Sequence, residues 1–364
     1  MKTSITILPE LGRFETTILK GIYEGNTPHI SEWRTTTANE TVTLPYTSTG
    51  IYTGIIDWGD GTQSVNSYDN RSHVYSTAGF YNITIYGSVV GFNFNISTSK
   101  TKIYRIFQWG SNFNLGNNGA YFNGCTNLNL TVVSDVLSTQ NISTFSNLFK
   151  DCTSITTINR ISEWNISNIT NLNACFTGCT NFNQNISSWN VVNVTIMSSM
   201  FNNCTNFNQN IGSWNVSNVN TMLGMFTNCT NFNQNIGSWN VSNVTNMSFM
   251  FQNAINFNQN IGSWNTLAVT NMNSMFRSAT AFNQNIGNWD IRNCLNFTNF
   301  MFGKTFINYS TTNYDALLIG WASRPVKPNI SINFGTIKRT AAGTAARLVL
   351  TSGPNLWTIV DGGL

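Results

Sequence analysis

The sequence predicts a multidomain protein in which a small antiparallel β-sandwich leads into a curved α/β solenoid closed by an α/β cap. Three observations carry this. Trp189, Trp214, Trp239, Trp264 and Trp289 recur every 25 residues, and Phe176, Phe201, Phe226, Phe251 and Phe276 keep the same step, so one unit is repeated without gaps. Before the repeats, from Trp33 onward, short runs of strand-forming residues alternate with turn signals. After Trp289 the periodicity fades and a different pattern of helices and strands takes over.

Residues 1–30 alternate weakly (Ile5, Ile7, Phe14, Ile18, Ile22) and end in the loop Gly25 to Pro28, which reads as an extended arm or a pair of added strands. Residues 31–98 supply the sandwich, with strands expected at Thr41–Leu44, Tyr52–Trp58 and Phe80–Tyr86 and a tight turn at Asp60-Gly61. Asp57 and Asp60 are two carboxylates, too few for a calcium site, and positive φ at Asp60-Gly61 explains the pair as turn residues. His73 has no cysteine or second acid at ligand spacing and reads as a packed, hydrogen-bonded residue.

Residues 99–312 hold the solenoid of about seven rungs. A strand between Lys100 and Gly110 is expected to cap the first rung, and the early rungs are 27 residues long, as Phe122, Phe149 and Phe176 show. In a full rung Met247, Met250, Phe251 and Ala254 fall at i, i+3, i+4 and i+7, which predicts a short helix; Phe257 to Trp264 predicts a brief strand and a turn. Parallel strands about 4.8 Å apart beside helices needing about 10 Å predict a stack bent toward its strands. The repeated Asn-Gln-Asn, as at 258–260, predicts columns of amides bonded from rung to rung. Because Phe257, Gln259 and Ile261 share parity, the glutamine is either a buried ladder or the mark of an irregular strand.

Cys125, Cys152, Cys179, Cys204 and Cys229 stay in step, and Ala254 and Ala279 then take the same position. A place filled by Cys or Ala is a packing place, so free buried thiols are expected, with no disulfide and no metal; Cys175 and Cys294 fall outside the series. Past Trp289 the spacing predicts a register slip of one residue, to Met301-Phe302. Residues 313–364 then predict a helix around Tyr314–Trp321, a strand at Ile330–Ile332, a helix from Thr340 to Leu350 and a strand at Trp357–Val360, a cap over the last rung.

Two resemblances follow from these residues. Asp57, Trp58, Gly59, Asp60 and Gly61, then His73 and Tyr75, then Gly79 and Tyr81 resemble the signature of polycystic-kidney-disease (PKD) domains, with Trp58 where that family usually has Phe or another aromatic. That likeness implies an immunoglobulin-like sandwich. Residues 31–364 as a whole resemble BspA-type leucine-rich-repeat surface proteins, in the branch with 25-residue N-M-x-x-M-F-x-x-A/C-x-x-F-N-Q-N-I-x-x-W repeats found in mycoplasmas, other bacteria and viruses. This implies a leucine-rich-repeat-like solenoid on an adhesin or surface protein.

Composition limits the function classes. Between Ile161 and Phe300 the only charged residues are Glu163, Arg277, Asp290 and Arg292, so the repeats carry no basic stripe for nucleic acid and no acid-base pair, triad or metal set for catalysis. The sequence therefore predicts a non-enzymatic protein without cofactors. Met1 to Glu10 contains no apolar run of signal-peptide or membrane-span length, which predicts release into a cytoplasm. A structural or recognition component of a virion surface or capsid is expected, its arm and sandwich anchored on a protein lattice. The alternative is a bacterial cell-surface adhesin that binds a host protein or glycan. Sequons at Asn215, Asn240 and Asn246 follow from the repeated Asn-Val-Ser-Asn-Val-Thr vocabulary.

Overall fold

A computed structural model describes residues 26–364. The part of the expected arm in residues 1–25 lies outside the described residues. The chain first forms an antiparallel sheet from β1 (His29–Thr35), β3 (Tyr46–Asp57), β4 (Gln63–Val65), β6 (Gly79–Phe92) and β7 (Ile103–Gln108), in the order β4-β3-β6-β1-β7. A second, two-stranded ladder pairs β2 (Glu40–Thr43) with β5 (Ser72–Tyr75). Strand β1 buries alternate residues, Trp33 and Thr35 among them, which is the period-2 pattern of a strand with one face on a core.

The sheet does not stop at residue 98. Strand β7 pairs with β1, and β8 (Phe113–Asn114) lies parallel to the end of β6. The boundary expected between residues 98 and 99 therefore cuts through a sheet. Arg105 of β7 also bridges to Asn129, so the same strand seats the first rung. One continuous apolar core runs from Trp33 to Ile359.

The rungs correct the helix-plus-strand expectation. Among the described residues from 115 to 310 the only helical turn is the 3-10 segment Ile161–Glu163, and the rungs are chains of turns joined by single parallel bridges. The bridges form a column through Thr144, Asn171, Ile196, Thr221, Asn246, Asn271 and Asn296, in the half expected to be helical. Left-handed residues explain why no helix forms. Ala174 and Gly178, Ser199 and Asn203, Gly224 and Asn228, Phe249 and Asn253, Ser274 and Ser278 all have positive φ, two per rung and four residues apart. A right-handed helix cannot pass through either. Most of these are Gly, Asn, Ser or Ala; Phe249, at φ 61°, is the bulky exception.

The backbone instead divides its donors. The N–H groups of Met222, Gly224, Phe226 and Asn228 donate to Asn246, Ser248, Met250 and Gln252 of the next rung, while Met225, Thr227 and Cys229 close turns on Met222, Gly224 and Phe226. Every rung thus leans on its successor. With no helices to hold one side apart, the reason for expecting a bend toward strands disappears.

Helix α1 (Thr311–Ala322) is capped by the Ser310 hydroxyl, and α2 (Ala341–Thr351) by that of Thr340. Strands β9 (Ser331–Asn333), which follows α1, and β10 (Thr358–Val360), which follows α2, pair in parallel. The register does not slip where expected. Phe276 donates to the Phe300 carbonyl as its counterparts do in earlier rungs, Phe300 and Met301 are buried, and Phe302 is the exposed one. The chemistry changed at two buried positions while the backbone kept its step.

Candidate functional site

The repeated aromatics are scaffold. Trp189, Trp214, Trp239, Trp264 and Trp289 are all buried, and each indole Nε1 donates to a carbonyl one rung back, from Trp189 on Ile161 to Trp289 on Ile261. Phe176, Phe201, Phe226, Phe251 and Phe276 are fully buried and stack on one another at ring-centroid spacings of 5.7 to 5.9 Å. None of these side chains is available to a ligand.

The cysteines do more than fill space. All seven are free and buried, and the thiols of Cys152, Cys179, Cys204 and Cys229 donate to the carbonyls of Phe122, Phe149, Phe176 and Phe201. Burial raises their pKa values, Cys294 to about 12, which keeps them protonated and poor nucleophiles. Sequence reasoning missed the next member of the series. Lys304 follows Ala279 by 25 residues, is buried, and its Nζ lies 2.6 to 3.0 Å from the carbonyl oxygens of Ala279, Thr280, Phe282 and Asn308, which share its three hydrogens. Burial alone pulls its pKa down to about 7, while four carbonyl oxygens favour the charged form. The 25-residue spacing was the signal that could have found it.

At the other end, the Asp57 to Gly61 turn is knit by its own side chains. Asp57 accepts from the Gly59 N–H and from Gln63, and Asp60 accepts from the Thr62 N–H and hydroxyl. His73 Nε2 lies 2.7 Å from Asp60 Oδ2, and its ring stacks on Trp58. Burial raises the Asp60 pKa, but the bonds from Thr62 and His73 outweigh it and the net shift is downward. Tyr75 donates to the Trp58 carbonyl and stacks on Tyr81. Gly59 has φ +80° and a Cβ there would meet the Asn82 carbonyl at 2.6 Å, so glycine is required. These residues lie together in a braced turn.

What remains at the surface is the Asn-Gln-Asn face, and it is ordered differently from three columns of like bonded to like. The first Asn accepts from the next rung: the Asn233 N–H and Gln234 Nε2 both reach Asn208 Oδ1 at 2.9 Å, and the same pattern recurs at Asn183, Asn233 and Asn258. The third Asn turns inward on itself, as Asn235 Oδ1 caps the Gly237 N–H. Gln259 is half-buried while Phe257 and Ile261 are buried, which resolves the parity question in favour of an irregular backbone.

This face becomes concave where α1 closes it. A cleft of about 420 Å³ is lined by Asn260, Gly262, Ser263, Gln284, Asn285, Asn288 and Asn313. Beside Asn288 the last rung and α1 approach closely, since a Cβ on Gly287 would meet the Ala316 carbonyl at 2.2 Å and one on Gly320 would meet that of Gly287 at 2.1 Å. Asn288 stands where Ser188, Ser213, Ser238 and Ser263 stand in other rungs, and that departure was the sequence signal for the site. Among the described residues no group of three or more His, Cys, Asp or Glu side chains is placed to hold a metal ion, and no helix is long and apolar enough to cross a membrane.

No curated protein and no solved structure matches this chain. The family described as "Mycoplasma protein of unknown function, DUF285" matches residues 117–222 and again residues 209–314. The two matches together cover the run of rungs from its start to the edge of α1, more than half of the chain, and the protein belongs to this family.

Proposed function

We propose that this chain is a non-enzymatic structural and recognition protein that displays its rungs on a surface, with the Asn-Gln-Asn face as the presented side. The observation that supports this best is the amide face itself: one arrangement of donors and acceptors repeated rung after rung, on a stack whose repeated phenylalanine, thiol and tryptophan groups are buried. A periodic, nearly uncharged face suits recognition by hydrogen bonding with little electrostatic steering. The finer reading is a PKD-like immunoglobulin sandwich carrying a BspA-type stack. The braced Asp57 to Gly61 turn with His73 supports the first, and the period and buried pattern of the rungs support the second, although rungs without helices depart from a leucine-rich repeat.

A virion surface or capsid-associated lattice is the setting we favour from the sequence, with other proteins as partners and neither nucleic acid nor a membrane span involved. The bacterial cell surface is the second setting, favoured by the mycoplasma description of the family. Immunogold labelling of intact particles and intact cells with an antibody to the rungs tests the reading. Surface label on either supports display and selects the setting; label that appears only after permeabilisation overturns it. Removing residues 1–98 is not a clean test of anchoring, since it would strip β1 and β6 from β7 and β8.

A further inference from the structure

We propose that the cleft between the last amide rung and α1 binds an uncharged, polyhydroxylated ligand, a carbohydrate, through amides that each hold one end in the fold and turn the other outward. Asn260 and Asn285 use their side-chain oxygens to cap the N–H groups of Gly262 and Gly287, so each is left with Nδ2 as a donor. Gln284 does the opposite. Its Nε2 is bonded to Asn258, and Oε1 is left as an acceptor. Asn288, exposed at the rim, makes no side-chain hydrogen bond and offers both. Ser263 donates to the Gly237 carbonyl and keeps its lone pairs.

The lining therefore mixes donors and acceptors with no charge among its seven residues. That mixture selects a ligand class. A carboxylate or phosphate wants donors only, an ammonium group wants acceptors only, and an apolar ligand finds no aromatic or aliphatic wall. A hydroxyl group donates and accepts at once and matches both. Charges on adjoining parts of the chain are committed: Asp290 and Arg292 pair with each other at 2.6 Å, and Arg324 Nη1 donates to the carbonyls of Gly287 and Gly320. Asn313 links the cleft to the ladder by donating to Asn283, so the wall contributed by α1 is fixed against the rung it covers.

The proposal rests on the reading of the amide face as the presented one, and the two fail separately. The full chain is screened on an array of neutral, sialylated and sulfated oligosaccharides, and the hits are measured by calorimetry at low and high salt. The expected result is saturable binding of a neutral oligosaccharide whose Kd changes less than about twofold with salt. Asn288→Leu, which removes no internal bond, should weaken it by about tenfold or more with unchanged thermal unfolding. Ser213→Leu, the same rung position far from the cleft, should leave it unaltered. No neutral binder, binding confined to acidic glycans, or equal effects of the two variants would overturn the cleft assignment even if the protein is surface-displayed. Specific binding by a protein found only inside particles or cells would keep the cleft and overturn the display.

Discussion

The sheet and the rungs satisfy their backbones in opposite ways. In the sheet, β3 and β6 exchange hydrogen bonds along a long antiparallel register from Tyr46–Phe92 to Asp57–Thr84, and side chains on the open face are free to vary. In the rungs alternate N–H groups reach the next rung or close turns, and side chains finish the work: Asn215 caps Ser217, Trp239 meets the Ile211 carbonyl and Cys204 that of Phe176. The contrast teaches why one region reads as ordinary strands and the other as a refrain. Where regular structure closes the hydrogen bonds, sequence is constrained by pattern; where it does not, sequence is constrained residue by residue.

Three perturbations would break or sharpen that contrast. The largest is Trp239→Ala, which opens a cavity in a continuous stack and leaves the Ile211 carbonyl with the Trp214 N–H as its donor; urea denaturation should show a loss of about 3–5 kcal/mol. A loss below about 1 kcal/mol would mean that the column is not a core. Next comes the seam between the regions. His29 is fully buried, stacked on Phe113 at 4.2 Å with Nδ1 on the Trp109 carbonyl, and burial pulls its pKa down to about 4. A depressed histidine pKa means that the unfolded chain takes up the proton first. Stability is therefore intact above about pH 6.5 and falls as pH drops toward 4, by up to about 3 kcal/mol. Asp60, Glu40 and Asp290 also carry lowered pKa values, so the test is the difference between wild type and His29→Phe, whose acid slope should be shallower. Parallel slopes would remove His29 from the seam's account. The smallest effect is Cys204→Ala, expected to cost about 1 kcal/mol because a buried carbonyl loses its thiol donor; Ala254 and Ala279 show that the fold tolerates it. A thermal-shift series with a loss several times larger would assign the thiols more than packing and one weak bond.

The period, the buried Trp and Phe columns and both cap helices were legible because each rests on identity or on local signals, such as Ser310 and Thr340 at the helix starts. The helix expected within each rung was not there, because apolar spacing of i, i+3, i+4 and i+7 is shared by consecutive turns. The corrective signal lay in the positions between, where Ala174, Ser199, Gly224, Ser274 and Asn299 are mostly residues that accept positive φ. The cleft was hidden for a different reason. Its wall on α1 comes from Asn313, outside the period, and proximity across a cap is not written in spacing.

The glycine of the last rung has a wider meaning. In earlier rungs a Cβ at Gly212, Gly237 or Gly262 would strike the backbone of the following rung, at the Asn235, Asn260 or Asn285 carbonyl; at Gly287 the same atom would strike Ala316 of α1. The cap helix thus sits where another copy of the unit would sit, and each of those rungs offers it the same seat. Whole units are exchangeable between the fixed ends, so recombination within the coding sequence can lengthen or shorten the molecule in steps of 25 residues without redesigning either terminus. Length along the stack becomes a counted quantity, adjustable by inheritance.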